Sequence, residues 1–140
     1  MNILLAVDGS KFTKKMLAYL TTHPELFGTD NEYTVFTAQP VLPPRARAAV
    51  GADVVKNYYE EEAEKVLAPV CKFLLRHGID AKSVHKVGPP GEAISKYADA
   101  GKFDLVVMGS HGHGTIVNLV MGSVATQVLA HCGVPVLLVR

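Results

Sequence analysis

The stretch from Asp104 to Gly114, DLVVMGSHGHG, joins an apolar run to a loop with three glycines in six positions. Phe103 to Met108 reads as a strand covered on both faces, the pattern of a parallel sheet. Downstream, Gly122 to Cys132 reads as a helix, with Val124, Val128 and Cys132 four apart, and Val134 to Val139 as a final strand. Upstream the same grammar repeats. Asn2 to Val7 (NILLAV) is nearly all apolar, and Asp8-Gly9-Ser10 follows as a turn. Ser10 can cap a helix over Lys11 to Thr22, where Phe12, Met16 and Tyr19 or Leu20 recur at helical spacing. A second strand is expected over Tyr33 to Gln39. Pro40 to Ala52, with Pro40, Pro43 and Pro44, reads as a loop carrying Arg45 and Arg47.

The longest helix is expected over Asp53 to His77, with Tyr59, Ala63, Val66, Val70 and Leu74 on one face and Gly78 at its end. Pro69 should kink or break it, because the ring clashes with the carbonyl of Lys65. Ala81 to Val87 alternates polar residues, as a strand near an edge does. Gly88-Pro89-Pro90-Gly91 then opens a helix containing Ile94, Tyr97 and Ala98. Five strands alternating with four helices imply an α/β protein with a parallel sheet and helices on both faces. Ligands of such sheets bind beyond the carboxyl ends of the strands, where the winding reverses.

Composition agrees with one folded domain over residues 1–140. Apolar residues make up 49% and charged residues 19%, too apolar for a disordered chain. A net charge of +1 offers no global field for nucleic acid or an anionic membrane. No apolar run approaches the roughly 18 residues of a membrane span, and the apolar start meets Asp8 too early for a signal-peptide core. Cys71 and Cys132 have no metal-ligand spacing and read as two buried, reduced thiols of a cytoplasmic protein.

Two post-strand turns draw attention: Asp8-Gly9-Ser10, and Gly109-Ser110-His111-Gly112-His113-Gly114-Thr115 with Gly122-Ser123 beyond it. Glycines let a backbone approach a ligand closely and present its N–H groups. A helix beginning there adds unpaired N–H donors and the positive end of its dipole, and the Ser123 hydroxyl adds another donor. Together they suit phosphate or another small anion. The plainer reading is a glycine loop with Ser123 as an N-cap. Neither GxxxxGK[ST] nor a GxGxxG after the first strand is present, so the P-loop and dinucleotide fingerprints do not apply.

The spacing Gly109-x2-Gly112-x9-Gly122-Ser123 resembles the nucleotide-binding signature of the universal stress protein family. DLVVMGSHGHG, MGSVATQVL, VPVLLV, NILLAVDGS and VGPPGEAI are all similar to segments of that family, so the resemblance covers the whole chain. It implies an open five-stranded parallel sheet of order 3-2-1-4-5, of the adenine nucleotide alpha hydrolase-like kind. It also implies a cytoplasmic homodimer that binds ATP or AMP, with or without magnesium, as a regulatory module in stress responses. Carried over by position, Asp8 would accept hydrogen bonds from ribose hydroxyls or help hold magnesium. Ala38 would lie under the adenine, where relatives often carry a larger aliphatic residue. Val7 and Met108 would line the base pocket. Gly109, Gly112, Gly122 and Ser123 would surround ribose and phosphates, with Val124 contributing its backbone.

Between Gly109 and Ser123 there is no Lys or Arg, and Asn118 stands where relatives often have a basic residue. That leaves a preference for AMP or ADP over ATP open. His111-x-His113 is a weak metal or general-base signal, with no third ligand in sight. Two other readings stay alongside the binding module. One is a slow ATPase or autophosphorylating enzyme, with Ser110, Thr115 and Ser123 as acceptors and no Lys-Asp pair or arginine finger. The other is a nucleotide-free dimeric interaction protein. The homodimer is expected on the last strand, Val134 to Arg140, an apolar edge uncharged before Arg140, with Pro135 tolerated at its start.

Overall fold

The computed structural model describes residues 1–114 and 120–140. Thr115 and Asn118 therefore lie outside the described residues. The chain runs β1 (Asn2–Ala6), α1 (Lys11–Thr22), β2 (Glu32–Gln39), α2 (Pro44–Val50), α3 (Ala52–Arg76), β3 (Lys82–Val87), α4 (Pro90–Ala100), β4 (Leu105–Gly109), α5 (Ser123–His131) and β5 (Val136–Val139). The strands form one sheet of order β3-β2-β1-β4-β5, and every pair is parallel.

Alternation along β1 divides the core. Ile3, Leu5 and Val7 join Val35 and Val107 beneath α1 and α3, against Met16, Leu20, Leu67 and Leu74. Leu4 and Ala6 point the other way, with Phe36, Val106 and Met108, onto Ile94 and Ala98 of α4 and Ala125 and Val128 of α5. Both faces of β1 and β4 are thus buried, which is why their sequences are continuously apolar. β3 forms one edge and is largely exposed, in keeping with its polar alternation.

The helices hold two departures from expectation. Pro40 to Ala52 is not wholly a loop, because Pro44–Val50 forms α2, with Pro at its first turn and no buried residue. Proline lacks only an N–H that a first turn leaves unpaired anyway, and the alanines and arginines behind it favour a helix. Gly51, at φ +84°, separates α2 from α3. Pro69 does not break α3, which runs from Ala52 to Arg76 through it. Ala63, Leu67, Val70 and Leu74 are all buried on that helix, on both sides of the proline. Packing along the whole length offsets one missing hydrogen bond.

The thiols also differ from expectation. Cys71 and Cys132 are unpaired but only half-buried. Burial pushes both thiols above their ordinary range, with Glu64 and Asp80 adding to the effect at Cys71 and Asp99 at Cys132. A raised thiol holds less thiolate at neutral pH, and thiolate is the nucleophile. Alkylation by iodoacetamide at neutral pH is therefore expected to be several-fold slower at both residues than for free cysteine. Mass-spectrometric time courses check this.

Candidate functional site

β1 and β4 are neighbours in the sheet but lead to opposite sides of it, so a crevice opens between their carboxyl ends. A cavity of about 380 Å³ lies there, within the usual size of a small-molecule site. All nine residues that the family resemblance singled out line it: Val7, Asp8, Ala38, Met108, Gly109, Gly112, Gly122, Ser123 and Val124. Thr13, Ile94, Pro90, His111 and His113 line it as well. No sequence motif marks Thr13, and Pro90 and Ile94 lie in the family-like VGPPGEAI segment without having been singled out as site residues; they reach the cavity because α1 and α4 pack on opposite faces of β1.

The walls are of two kinds. Val7, Ala38, Ile94 and Met108 make an apolar end, and Asp8, Thr13, the glycine loop and the start of α5 make a polar one. Asp8 follows β1 after one residue, Val7. Its Oδ1 accepts from the Ser10 N–H at 2.9 Å and from the Thr13 hydroxyl at 3.0 Å. Thr13 Oγ1 in turn accepts the Asp8 N–H at 3.1 Å. Ser10 caps α1 as expected, its side chain accepting the Phe12 N–H at 3.3 Å. Oδ1 thus closes an Asx turn with Ser10 and holds Thr13, while Oδ2 faces Gly112. A β-carbon built on Gly112 would lie 2.8 Å from Oδ2, so any side chain there displaces the carboxylate from its present position.

The start of α5 is the polar end's main source of donors. Its N-cap is Gly122, not Ser123, and no side chain caps it. Gly122 donates to the Ser110 carbonyl at 2.8 Å, and Thr126 N–H returns to the Gly122 carbonyl at 3.1 Å. The N–H groups of Ser123, Val124 and Ala125 donate to no group among the described residues, and all three residues line the cavity. Gly122 lines the cavity and is also packed closely against the loop. Its β-carbon would lie 3.1 Å from His111 Cα and 3.4 Å from the Ser110 carbonyl oxygen. Its missing side chain lets the 110–112 backbone lie against α5.

Both loop histidines have partners. His113 is exposed, yet its Nε2 donates to the Asp8 carbonyl at 2.8 Å, tying the β4–α5 loop to the β1–α1 turn. His111 Nδ1 lies 2.7 Å from the Ser110 hydroxyl, and its ring packs 4.8 Å from that of Phe12. Lys11 and Lys15 place their ammonium groups 5.4 and 5.0 Å from the Phe12 centroid, so positive charge borders this wall from α1. Asp8 is the one carboxylate among the described lining residues. No group of three or more His, Cys, Asp or Glu that could hold a metal occurs among the described residues.

Fold and site together define an open parallel α/β protein with a cavity of ligand size at its switch point. The chain belongs to the universal stress protein family, whose sequence profile matches residues 1–140. It is 34% identical over 138 residues to a universal stress protein of Thermus aquaticus, covering 99% of this chain and 97% of that one. It is 33% identical over 138 residues to universal stress protein Slr1230 of Synechocystis, covering 99% of this chain but 42% of that protein. Against universal stress protein MJ0577 of Methanocaldococcus jannaschii, the aligned part is 53% of that protein's length. The chain thus spans about half the length of some curated relatives.

The solved structure of MJ0577 matches with a TM-score of 0.81 and 28% identity, covering 99% of this chain and 94% of that one. Two further solved structures share the fold at TM-scores of 0.69. One is a universal stress protein in complex with cAMP, 24% identical, covering 100% of this chain and 97% of that one. The other, from Arabidopsis thaliana with AMP bound, is 16% identical and covers 99% and 90%.

Proposed function

We propose that the cavity binds an adenine nucleotide, AMP or ATP, and that the protein acts as a nucleotide-binding regulatory module in stress responses. The observation that carries the reading is the division of one cavity. An apolar end built by Val7, Ala38, Ile94 and Met108 suits a base, and an uncapped helix start beside Gly112 suits phosphate. Asp8 between them suits ribose hydroxyls. Ala38 is small, so the base packs there with room to spare. Relatives of the same fold hold AMP and cAMP, which supports the ligand class.

The donors for phosphate are backbone N–H groups and a helix dipole. No Lys or Arg lines the cavity among the described residues. That arrangement offsets the charge of a monophosphate more readily than that of a triphosphate. Magnesium bound with a triphosphate would take Asp8 as its protein carboxylate, with phosphate oxygens and water completing the shell, as that ion commonly does. A cytoplasmic location is part of the same reading. No helix among the described residues is long and apolar enough to cross a membrane.

Binding is tested by mass spectrometry of small molecules released on denaturing protein purified without added nucleotide, and by calorimetry. Asp8→Ala is expected to weaken AMP binding about tenfold, about 1.4 kcal/mol. It also removes the acceptor of two turn bonds, so melting temperature is measured on the same sample. A lower melting temperature with unchanged affinity would confine Asp8 to the turn. Turnover is a separate matter. With no lysine or arginine on the cavity wall among the described residues, ATP hydrolysis is expected far below the enzyme median of about 10 per second. A rate near that value, lost in His113→Ala, would replace the regulatory reading with an enzymatic one.

A further inference from the structure

A second cavity, of about 590 Å³, opens at the end of the sheet opposite the nucleotide crevice. Asn2, Glu32 and Lys82 line it, and they are the first residues of β1, β2 and β3. None of the residues proposed for the nucleotide belongs to it. Strand alternation sets its floor. Leu4, Phe36 and Val84 pack on the α4 side of the sheet, so Glu32, Thr34 and Lys82, an even number of positions away along their strands, project to that side too. Register places Thr34 between Leu4 and Lys82, and Glu32 beside Asn2. The roof is the carboxyl end of α4, with Tyr97, Gly101 and, just beyond, Phe103. The Tyr97 ring lies between two others, 4.9 Å from Phe36 and 5.7 Å from Phe103.

Thr34 is the informative floor residue. It is 6% exposed and lines the cavity, and its hydroxyl bonds to no group among the described residues. A buried hydroxyl without a partner is costly, and a ligand in the cavity can supply one. Glu32, Asp80 and Lys82 stand around it, and none of the three is in an ion pair among the described residues. Their charges are sorted by position. Lys82 adjoins Thr34 across the sheet, while Glu32 and Asp80 each lie two residues nearer the amino end of the floor. The last-turn carbonyls of α4 add the negative end of a helix dipole. We propose that this cavity binds a free α-amino acid with an apolar side chain. Its carboxylate accepts from the Thr34 hydroxyl and the Lys82 ammonium, as charge-assisted bonds do best. Its ammonium donates to Glu32 and Asp80, and its side chain packs on the rings of Tyr97 and Phe103. A simple cation leaves Lys82 unmatched and a simple anion meets two carboxylates, so a zwitterion is the class that uses all three charges.

Calorimetry with L-phenylalanine and L-leucine tests the proposal, and backbone amide spectra locate the site. The expected result is saturable binding with a Kd of about 1 mM or tighter, shifts around Thr34, Lys82 and Gly101, and no competition from AMP. L-Phenylalaninamide lacks the carboxylate and N-acetyl-L-phenylalanine lacks the ammonium; each is expected to bind about tenfold more weakly. Thr34→Val keeps the shape of the side chain and removes the unpaired hydroxyl. It is expected to fold with an unchanged or higher melting temperature, to bind L-phenylalanine about fivefold more weakly, and to keep the wild-type affinity for AMP. No saturable binding of either amino acid overturns the proposal, as do shifts that fall in the nucleotide crevice. Binding of the amide as tight as that of the amino acid makes this a cation site and overturns the zwitterion. Wild-type affinity for L-phenylalanine in Thr34→Val removes the hydroxyl from the site, and the proposal falls with it.

Discussion

Gly112→Ala is expected to weaken adenine-nucleotide binding at least tenfold, about 1.4 kcal/mol, in a protein that still folds. The added β-carbon would sit 2.8 Å from Asp8 Oδ2, closer than real contacts allow. The carboxylate is the end of a side chain, so it can rotate away, and the fold survives. Rotation, however, pulls Oδ1 from the Ser10 N–H and the Thr13 hydroxyl, which hold it at 2.9 and 3.0 Å. The polar wall of the cavity is then misplaced even though nothing was inserted into the ligand's volume. Gly109 makes the contrast. Its β-carbon would lie 2.6 Å from Phe12 Cβ and 3.3 Å from the Phe12 carbonyl carbon, neither of which can swing aside. A substitution there tests the docking of α1 and not the ligand. Calorimetry with AMP and thermal melting of Gly112→Ala check the prediction together. Unchanged affinity in a folded variant would remove Asp8 and Gly112 from the site.

The architecture was legible because each apolar run is bounded by turn residues and because β1 and β4 are buried on both faces. Strand order came from family resemblance, since alternation alone does not say which strand lies beside which. Two helical features were not legible for one reason, the weight given to proline. Pro44 starts α2 where Pro40 and Pro43 made the segment look like a loop, and Pro69 sits inside α3 where packing on both sides overrides its local cost. Local rules describe the chain in isolation; the buried faces of α3 are a tertiary fact.

At the site, residues adjacent in sequence were easier to find than residues brought together by folding. The glycine spacing drew attention to one loop. The bond from His113 to the Asp8 carbonyl spans 105 positions, and no spacing rule reaches that far. Thr13 was hidden for a related reason. A threonine in the first turn of a helix looks like any other until the carboxylate it holds is in view. Ser123 illustrates the reverse error. Serine is a good cap by type, but Gly122 takes the cap position because the 110–112 backbone comes too close for a side chain there. The result leaves the first N–H groups of α5 without a side-chain cap, which is the ground on which we propose that end of the cavity for an anion.

Leu138→Lys is expected to convert a homodimer to a monomer, halving the mass seen by sedimentation equilibrium at micromolar concentration. The dimer itself is our proposal, and it rests on the edge of the sheet. β5 pairs only with β4, so its outer row of backbone N–H and C=O groups has no strand partner among the described residues. Val136, Leu137 and Leu138 are only half-buried there, and Leu129 on the adjacent α5 is 44% exposed. The other edge is protected differently, by Lys82 and Lys86 on β3, both exposed. Charge is the usual guard of an edge strand, and β5 has none. An unguarded apolar edge at one side and a guarded one at the other favour a two-fold, antiparallel pairing of β5 with its copy, which closes and does not polymerise. Lysine at 138 puts like charges near each other across that axis and adds the cost of desolvating them. Val136→Lys, on the same face of the strand, is the companion variant. A wild type with the mass of one chain would refute the dimer, and an intact dimer in both lysine variants would move the interface away from β5.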